Sequence, residues 1–392
     1  MQLPRCTDGV GRQRQETLLA LDPKGDACRL SLLVAMRNES GTIKACLKSL
    51  VVQDSAKSEF EVLVFDGEST DDSWCIAEGV LAGHGNCRVL RNPERTQSAA
   101  WNRGIRESHG EMIGIISGHT TLAHDYVRRV VETFERTGAD MVGGPAIASA
   151  SGLAAESIAA AMTSRFGVGD ATFRYATKEQ YVDTVFQGVC RRKVFERIGG
   201  FDEELVRDQD DEFSYRLLEH GGKILCNPEI RCTYFSRSSL GGLWKQYNQY
   251  GFYKVRVLQK HPKQMRPRQF VPPLFVLSLI TVLGLWFLVS WGWAAFALVS
   301  GSYVLANLVA SVLTASKKGW KHLPLLPVVY AILHLSYGLG FLLGLYRFWN
   351  RWGDKVGKVP SFAKRHLDNS EVRNQRSECR DFDGRRPETR NL

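Results

Sequence analysis

Leu30-Ser-Leu-Leu-Val-Ala-Met-Arg-Asn-Glu-Ser40 and Phe60-Glu-Val-Leu-Val-Phe-Asp-Gly-Glu-Ser-Thr-Asp71 decide the fold. Each begins as an apolar run of strand length and stops abruptly at small, polar and acidic residues. Runs of this kind suit strands buried on both faces of a sheet, where polar alternation is absent. Between them Ile43, Leu47 and Leu50 recur at helical spacing. The pattern continues with a helix around Cys75 to Leu81, a strand at Arg88 to Leu90, a helix around Ser98 to Ser108 and a strand at Met112 to Ile116. Strands alternating with helices predict an α/β domain with a mostly parallel, Rossmann-like sheet, and its ligands gather at the carboxyl ends of the strands. Further strands are expected at Met141-Val142 and Val182 to Cys190, with a helix at Tyr126 to Phe134. Residues 146–180, small and polar with weak periodicity, read as a mobile region lining the acceptor side of a site.

The 392 residues carry a net charge of +10, and the excess is uneven. No Asp or Glu occurs between Glu229 and Asp354, while Lys245, Lys254, Arg256, Lys260, Lys263, Arg266 and Arg268 crowd the front of that span. A single-sign field of this kind suits nucleic acid, phosphate or anionic lipid. The neighbouring stretch selects the membrane: Phe270 to Ser316 carries no charge, enough for two helical crossings of a hydrocarbon layer about 30 Å thick. Hydrophobic segments are expected at about 271–290, 293–314 and 323–346. Two crossings return Lys317, Lys318 and Lys321 to the starting side, as the positive-inside tendency asks. A third would export the Arg-rich tail, so the last segment, with Pro324, Pro327 and His334, reads as re-entrant or interfacial. Residues 1–28 read as a flexible extension without a secretory core, 29–260 as the folded domain, 261–346 as the membrane region and 347–392 as a basic, disordered tail. Nine cysteines without a CxxC pair fit a reducing compartment.

Candidate chemistry sits at the strand ends. Asp66 is placed to accept from a base imide or ribose hydroxyl, or else to cap the next turn. Asn102 sits on a helix whose small residues permit close approach to the sheet or to a ligand. Ser117-Gly-His119 ends a central strand, where His119 is a cation ligand or a structural histidine. Gly199-Gly-Phe-Asp-Glu203 leads into Asp208-Gln-Asp-Asp-Glu212 at a helix N-terminus. Carboxylates this close repel one another, and at least one is expected to have a raised pKa, as a general base requires. The other reading is an acidic first turn favoured by the helix dipole.

Taken together, Val34 to Glu39, Asp66 to Asp71, Asn92-Pro93 with Ala100 to Gly104, Ser117-Gly-His119, Arg192 to Glu203, Asp208 to Phe213, Arg237 to Leu240 and Lys245 to Gly251 resemble the family 2 nucleotide-sugar glycosyltransferases of the GT-A fold. The likeness is to the membrane-anchored succinoglycan type. The resemblance implies an inverting transfer from a nucleotide-diphosphate sugar to a polyprenyl-diphosphate-linked glycan in extracellular polysaccharide synthesis. The domain would face the cytoplasm on a multi-pass plasma-membrane protein. It implies Asp210, with Asp211, as the catalytic carboxylates. Donor binding falls to Ala35, Arg37, Glu39, Asp66, Asn102 and Ser117, and diphosphate or acceptor contact to Gly188, Arg237, Gln246, Tyr247 and Tyr250. A divalent metal, Mg or Mn, would sit at His119. Two positions depart from the family pattern: Ser117 stands where the metal motif begins with Asp, and Gln209 where Glu precedes the base. The alternative reading built on Ser117 is a noncatalytic transferase-like partner in a polysaccharide assembly complex. A nucleic-acid role is not expected, since the basic stretch abuts lipid-length segments.

Overall fold

The structure, a computed structural model, describes residues 28–362 apart from residue 58 and residues 236–238. The expected N-terminal extension, Arg237 and most of the tail lie outside the described residues. The first strands are β1 (Leu30–Met36), β2 (Phe60–Asp66), β3 (Cys87–Arg91) and β4 (Met112–Ser117). They are parallel and alternate with α1 (Ile43–Val51), α2 (Ser73–Leu81) and α3 (Gln97–Glu107). β5 (Thr120–Leu122), α4 (Tyr126–Arg136), β6 (Met141–Gly144) and β7 (Ala146–Ser149) come next. After them lie α5 (Leu153–Met162), α6 (Arg165–Val168), β8 (Gln180–Tyr181), β9 (Phe186–Arg191), α7 (Arg192–Ile198), α8 (Gln209–Glu219), β10 (Ile224–Cys226) and β11 (Cys232–Phe235). The main sheet has the order β3-β2-β1-β4-β9-β6-β10-β8, and β5-β11-β7 form a small second sheet. Every residue of β1 is buried, which explains a run that is apolar but for Ser31. The register pairs Met36 with Asp66 and Ala35 with Ser117, so the polar ends of three strands reach one edge together.

Two expectations are corrected here. The strand expected at Val182 to Cys190 is the shorter β9, antiparallel between β4 and β6. Residues 146–180 are largely ordered, and their small side chains serve packing: Ile158, Ala161 and Met162 of α5 pack with Leu326, Val329, Tyr330 and Leu333. Alanine weakens the periodic signal of a helix while allowing its close approach to a neighbour.

The C-terminal region has α9 (Leu240–Lys260), α10 (Val271–Leu288), α11 (Gly292–Lys318) and α12 (Leu326–Arg347). α10 and α11 form a hairpin whose apolar side chains, among them Leu274, Ile280, Phe287, Leu298 and Leu305, stand exposed. All three last helices are long and apolar enough to cross a membrane. α12 differs in its surroundings, because it packs along α9 and touches α5 and α6 of the α/β domain as well as α10 and α11 of the hairpin. Before its first turn, His322 meets Ser157 at 3.1 Å and Lys321 meets Glu156 at 2.6 Å. At its middle, His334 bonds the Tyr303 hydroxyl (3.0 Å) and the Phe166 carbonyl (2.8 Å). Its last turns rest on α9 through glycines: a Cβ on Gly340 would lie 2.0 Å from the Asn248 carbonyl oxygen, and one on Gly251 2.0 Å from that of Tyr337.

The segment after α12 returns to the domain. Gly200 N–H donates to Pro360 O and Glu203 N–H to Lys358 O, while Phe362 packs into the second core cluster. The expected disordered tail is therefore docked at least through residue 362. The chain entering α10, the chain leaving α11 and the chain leaving α12 all touch the same domain.

The basic stretch is the largest correction. Lys254, Arg256 and Lys260 are buried inside the protein. Lys254 pairs with Asp208 and Asp211, Arg256 with Glu204 and Asp354, and Lys260 with Asp202 and Glu204. These cations neutralise the acidic loop before α8 and cannot reach lipid head groups.

Candidate active site

The loop entering α8 is held from three sides. Asn102 accepts from Phe201 N–H (2.8 Å) and donates to Phe201 O (2.8 Å) and the Glu203 carboxylate (2.9 Å). Gly199 has a φ of 81°, and a Cβ on Gly200 would lie 2.3 Å from Asn102 Oδ1, so the Gly-Gly pair is needed for this approach. From α8, Arg216 reaches back to the carbonyls of Ile198 and Gly200 and pairs with Glu212. Burial alone would raise the pKa of Glu212, but Arg216 and His261 outweigh it and hold the group down at about 2. Glu212 is thus a fixed structural anion.

Asp208 ends the loop in the left-handed conformation, φ 59°, and is buried. Lys254 Nζ lies 2.9 Å from its Oδ1 and 2.5 Å from Asp211 Oδ2. Burial still pushes Asp208 up to about 7, whereas Lys254 keeps Asp211 low against its own burial. Asp210 lies between them in sequence and has no cationic partner at hydrogen-bond distance among the described residues. Its carboxylate is exposed to a cavity, so water reaches it, yet the enclosing walls reduce its hydration. That desolvation, with repulsion from Asp211, raises it to about 6. A carboxylate with such a pKa is ionised near neutrality and basic enough to take a hydroxyl proton.

The cavity holds about 820 Å³. Its polar end contains His119, Asp208, Asp210, Asp211, Gln246, Tyr247 and Tyr250. Its other end runs between α6 and the apolar helices, along Phe166, Phe275, Tyr303, Leu333 and Tyr337. Gln246 donates to the Tyr250 hydroxyl at 2.8 Å, and the rings of Tyr247 and Tyr250 meet edge to face at 5.5 Å.

Among the residues singled out by sequence, this cavity gathers Asp210, Asp211, His119, Gln246, Tyr247 and Tyr250. It does not gather the others. Asn102 is fully buried and spends its amide on the Phe201 loop, so its assignment to donor binding is corrected to a structural clamp. Gly188 lies inside β9, where a Cβ would meet the Met141 side chain at 2.8 Å, so its role is packing. Asp66 has no exposed surface, and its carboxylate accepts from Ser69 N–H (3.2 Å), the Ser69 hydroxyl (2.5 Å) and Arg91 (3.1 Å). These bonds order its own turn. Ala35, Arg37 and Ser117 remain at the strand-end edge, with Ser117 N–H donating to Gln187 Oε1 at 3.0 Å. Lys254 and Arg174 are cavity residues that the sequence reading missed. The buried lysine had a signal: cations at 254, 256 and 260 match acids at 202, 204, 208 and 211 in a chain segment with no acids of its own.

Among the described residues no three His, Cys, Asp or Glu side chains assemble a cation site. His119 Nδ1 lies 3.0 Å from Glu39 Oε1, and its Nε2 has no protein partner among the described residues. A carboxylate that orients an imidazole is the usual support of a metal-binding histidine. This donor set fits an open cation site completed by substrate oxygens, not a closed one.

Comparison with known proteins gives a consistent picture. Residues 31–199 match the family model described as Glycosyl transferase family 2. Over 327 residues the chain is 28% identical to a dolichyl N-acetyl-alpha-D-glucosaminyl phosphate 3-beta-D-2,3-diacetamido-2,3-dideoxy-beta-D-glucuronosyltransferase of Methanococcus voltae, covering 81% of this chain and 97% of that one. It is 27% identical over 326 residues to the succinoglycan biosynthesis protein ExoA of Rhizobium meliloti, covering 82% and 96%. The mannosyltransferase PcManGT of Pyrobaculum calidifontis, solved with GDP-Man and Mn2+, is alike in fold, with a TM-score of 0.52 at 16% identity over 83% of this chain and 91% of that one.

Proposed function

We propose that this family 2 glycosyltransferase moves a sugar from a nucleoside-diphosphate donor to a lipid-linked glycan acceptor in polysaccharide synthesis. The observation that carries the proposal is the continuity of one cavity from the Asp210 carboxylate to the apolar helices. A polar acceptor head at the acids and an apolar chain beside Phe275, Tyr303 and Leu333 match its two ends. The dolichyl phosphate in the name of the Methanococcus voltae relative supports an acceptor of this class.

In the proposed step the acceptor hydroxyl gives its proton to Asp210. Its oxygen bonds to the anomeric carbon as the bond from that carbon to the diphosphate breaks, inverting the centre. Lys254 keeps Asp211 ionised beside the base, and Gln246, Tyr247 and Tyr250 form the wall over the reacting groups. A divalent cation bound with the donor would be held by His119 and would offset charge on the departing diphosphate.

The α10–α11 hairpin crosses the membrane and returns, and α12 lies at the membrane surface against the domain. The domain and the segment after α12 then share the cytoplasmic side. This keeps Lys317, Lys318 and Lys321 cytoplasmic without exporting the tail.

Acceptors that share one glycan head and differ in isoprenoid length test the proposal. Longer chains should lower KM, and Ala306→Trp, which narrows the apolar end, should raise KM for the long chain while sparing a short one. Indifference to chain length in both proteins would remove the lipid-linked acceptor.

A further inference from the structure

We infer that Arg174 is a diphosphate-binding cation of this active site. The inference rests on the proposed transferase reading and deepens it. Four Lys or Arg side chains line the cavity: Arg165, Arg174, Lys254 and Arg268. Lys254 is answered by Asp208 and Asp211, and Arg268 by Asp170 and Asp183, both at 2.7 Å. Arg165 is exposed. Arg174 alone of the four is largely covered while making no ion pair and no side-chain hydrogen bond among the described residues. Its nearest ring is its neighbour Phe173, 5.1 Å away. A guanidinium carries five donors, and leaving them unmatched in a confined site is costly unless a ligand takes them.

Its surroundings point to an anion. Burial works against its charge, but Tyr247, Tyr234, Tyr250 and Asp211 more than offset that effect and keep it cationic. The segment that carries it is fixed beforehand. Arg268 bonds Asp170 on one side of it and Asp183 on the other, and Tyr175 hydroxyl bonds the Gly169 carbonyl at 3.4 Å. The proposed reaction releases a diphosphate into a cavity that already holds Asp210 and Asp211. At the strand end where a carboxylate would recruit a cation, Ser117 brings no charge. A planar guanidinium pairs two oxygens of a diphosphate at once, and the pairing strengthens as charge builds on the leaving group. Arg174 therefore supplies fixed positive charge from the protein, beside whatever cation His119 binds.

The test is calorimetry on the full-length protein in detergent, with UDP, GDP, ADP and dTDP and the matching monophosphates, in EDTA and again with Mn2+. For the diphosphate that binds the starting protein, Arg174→Ala should weaken affinity roughly 10- to 100-fold, the loss expected for a charge-assisted pair. The matching monophosphate should change little, and Arg174→Lys should recover only part of the loss because it lacks the bidentate fork. Equal losses for mono- and diphosphate, or no loss for either, in a variant with an unchanged melting point would overturn the assignment while leaving the transferase reading intact. If no diphosphate binds the starting protein in either condition, the donor reading itself fails and the role of Arg174 with it.

Discussion

Replacing Lys254 with Met tests the electrostatic arrangement around the proposed base. The ammonium is buried between Asp208 at 2.9 Å and Asp211 at 2.5 Å, with its pKa held well above the usual value by those partners despite burial. Methionine keeps most of the volume and leaves two crowded carboxylates without a counter-charge. Breaking a buried pair in this way costs about 3–5 kcal/mol. The loss should depend on pH with a definite sign. Without Lys254 the folded-state pKa of Asp208, already raised by burial, climbs further and that of Asp211 rises above its unfolded value, so the folded variant binds protons more tightly and gains stability as pH falls. The melting point should therefore drop more at pH 8 than at pH 5.5. Lys254 also lowers the pKa of Asp210, so the acid limb of the pH–rate profile should move upward by roughly one unit, equivalent to about 1.4 kcal/mol. Adding Asp208→Asn should restore part of the stability. An equal melting loss at both pH values together with an unmoved acid limb would refute the reasoning and reduce Lys254 to a packing residue.

Three further outcomes are expected. Asp210→Asn should lower transfer by about 10²- to 10⁴-fold, the usual worth of a general base, while donor affinity stays within a factor of a few. Because the folded-state pKa of Asp210 is raised to about 6, its stabilising contribution is lost as pH rises through that value. Asp210→Asn should therefore melt above the starting protein at pH 8, and that advantage should shrink as pH falls through 6 and vanish only below the ordinary carboxylate value of about 3.8. Gly340→Val, whose Cβ would meet the Asn248 carbonyl at 2.0 Å, should destabilise by about 1–3 kcal/mol or more. Faster proteolysis of the segment after α12 would report α12 lifting from α9. Arg256→Ala should cost stability on the scale of a broken buried pair, about 3–5 kcal/mol, whereas exposed Lys263→Ala should leave the melting point unchanged.

The sheet was legible because its central strands are buried on both faces: Leu30 to Met36 and Phe60 to Phe65 announce themselves by apolar runs interrupted only at Ser31 and Glu61, and their polar ends mark the ligand edge. The acidic turn was legible for a similar reason, since clustered carboxylates are costly without a purpose or a partner. The partners were hidden. Lys254, Arg256 and Lys260 look like a membrane-facing patch because periodicity cannot say whether a helix face meets water, lipid or another helix. Asn102 looked like a ligand contact because a buried amide that ties two loops and one that binds substrate have the same spelling. α12 has the length and hydropathy of a crossing, and its glycines, which allow α9 to approach, reveal their role only beside that helix. Arg174 lies in a stretch whose small residues suppress every periodic signal.

The most direct test of the central claim is transfer itself. Membranes containing the full-length protein are supplied with a panel of labelled nucleotide sugars and a polyprenyl-diphosphate-linked glycan, and the solvent-extractable lipid fraction is counted. Label is expected in that fraction from at least one donor, with the anomeric centre inverted, and none from Asp210→Asn membranes. Undiminished transfer by Asp210→Asn, or no transfer by the starting protein from any donor, would contradict that claim.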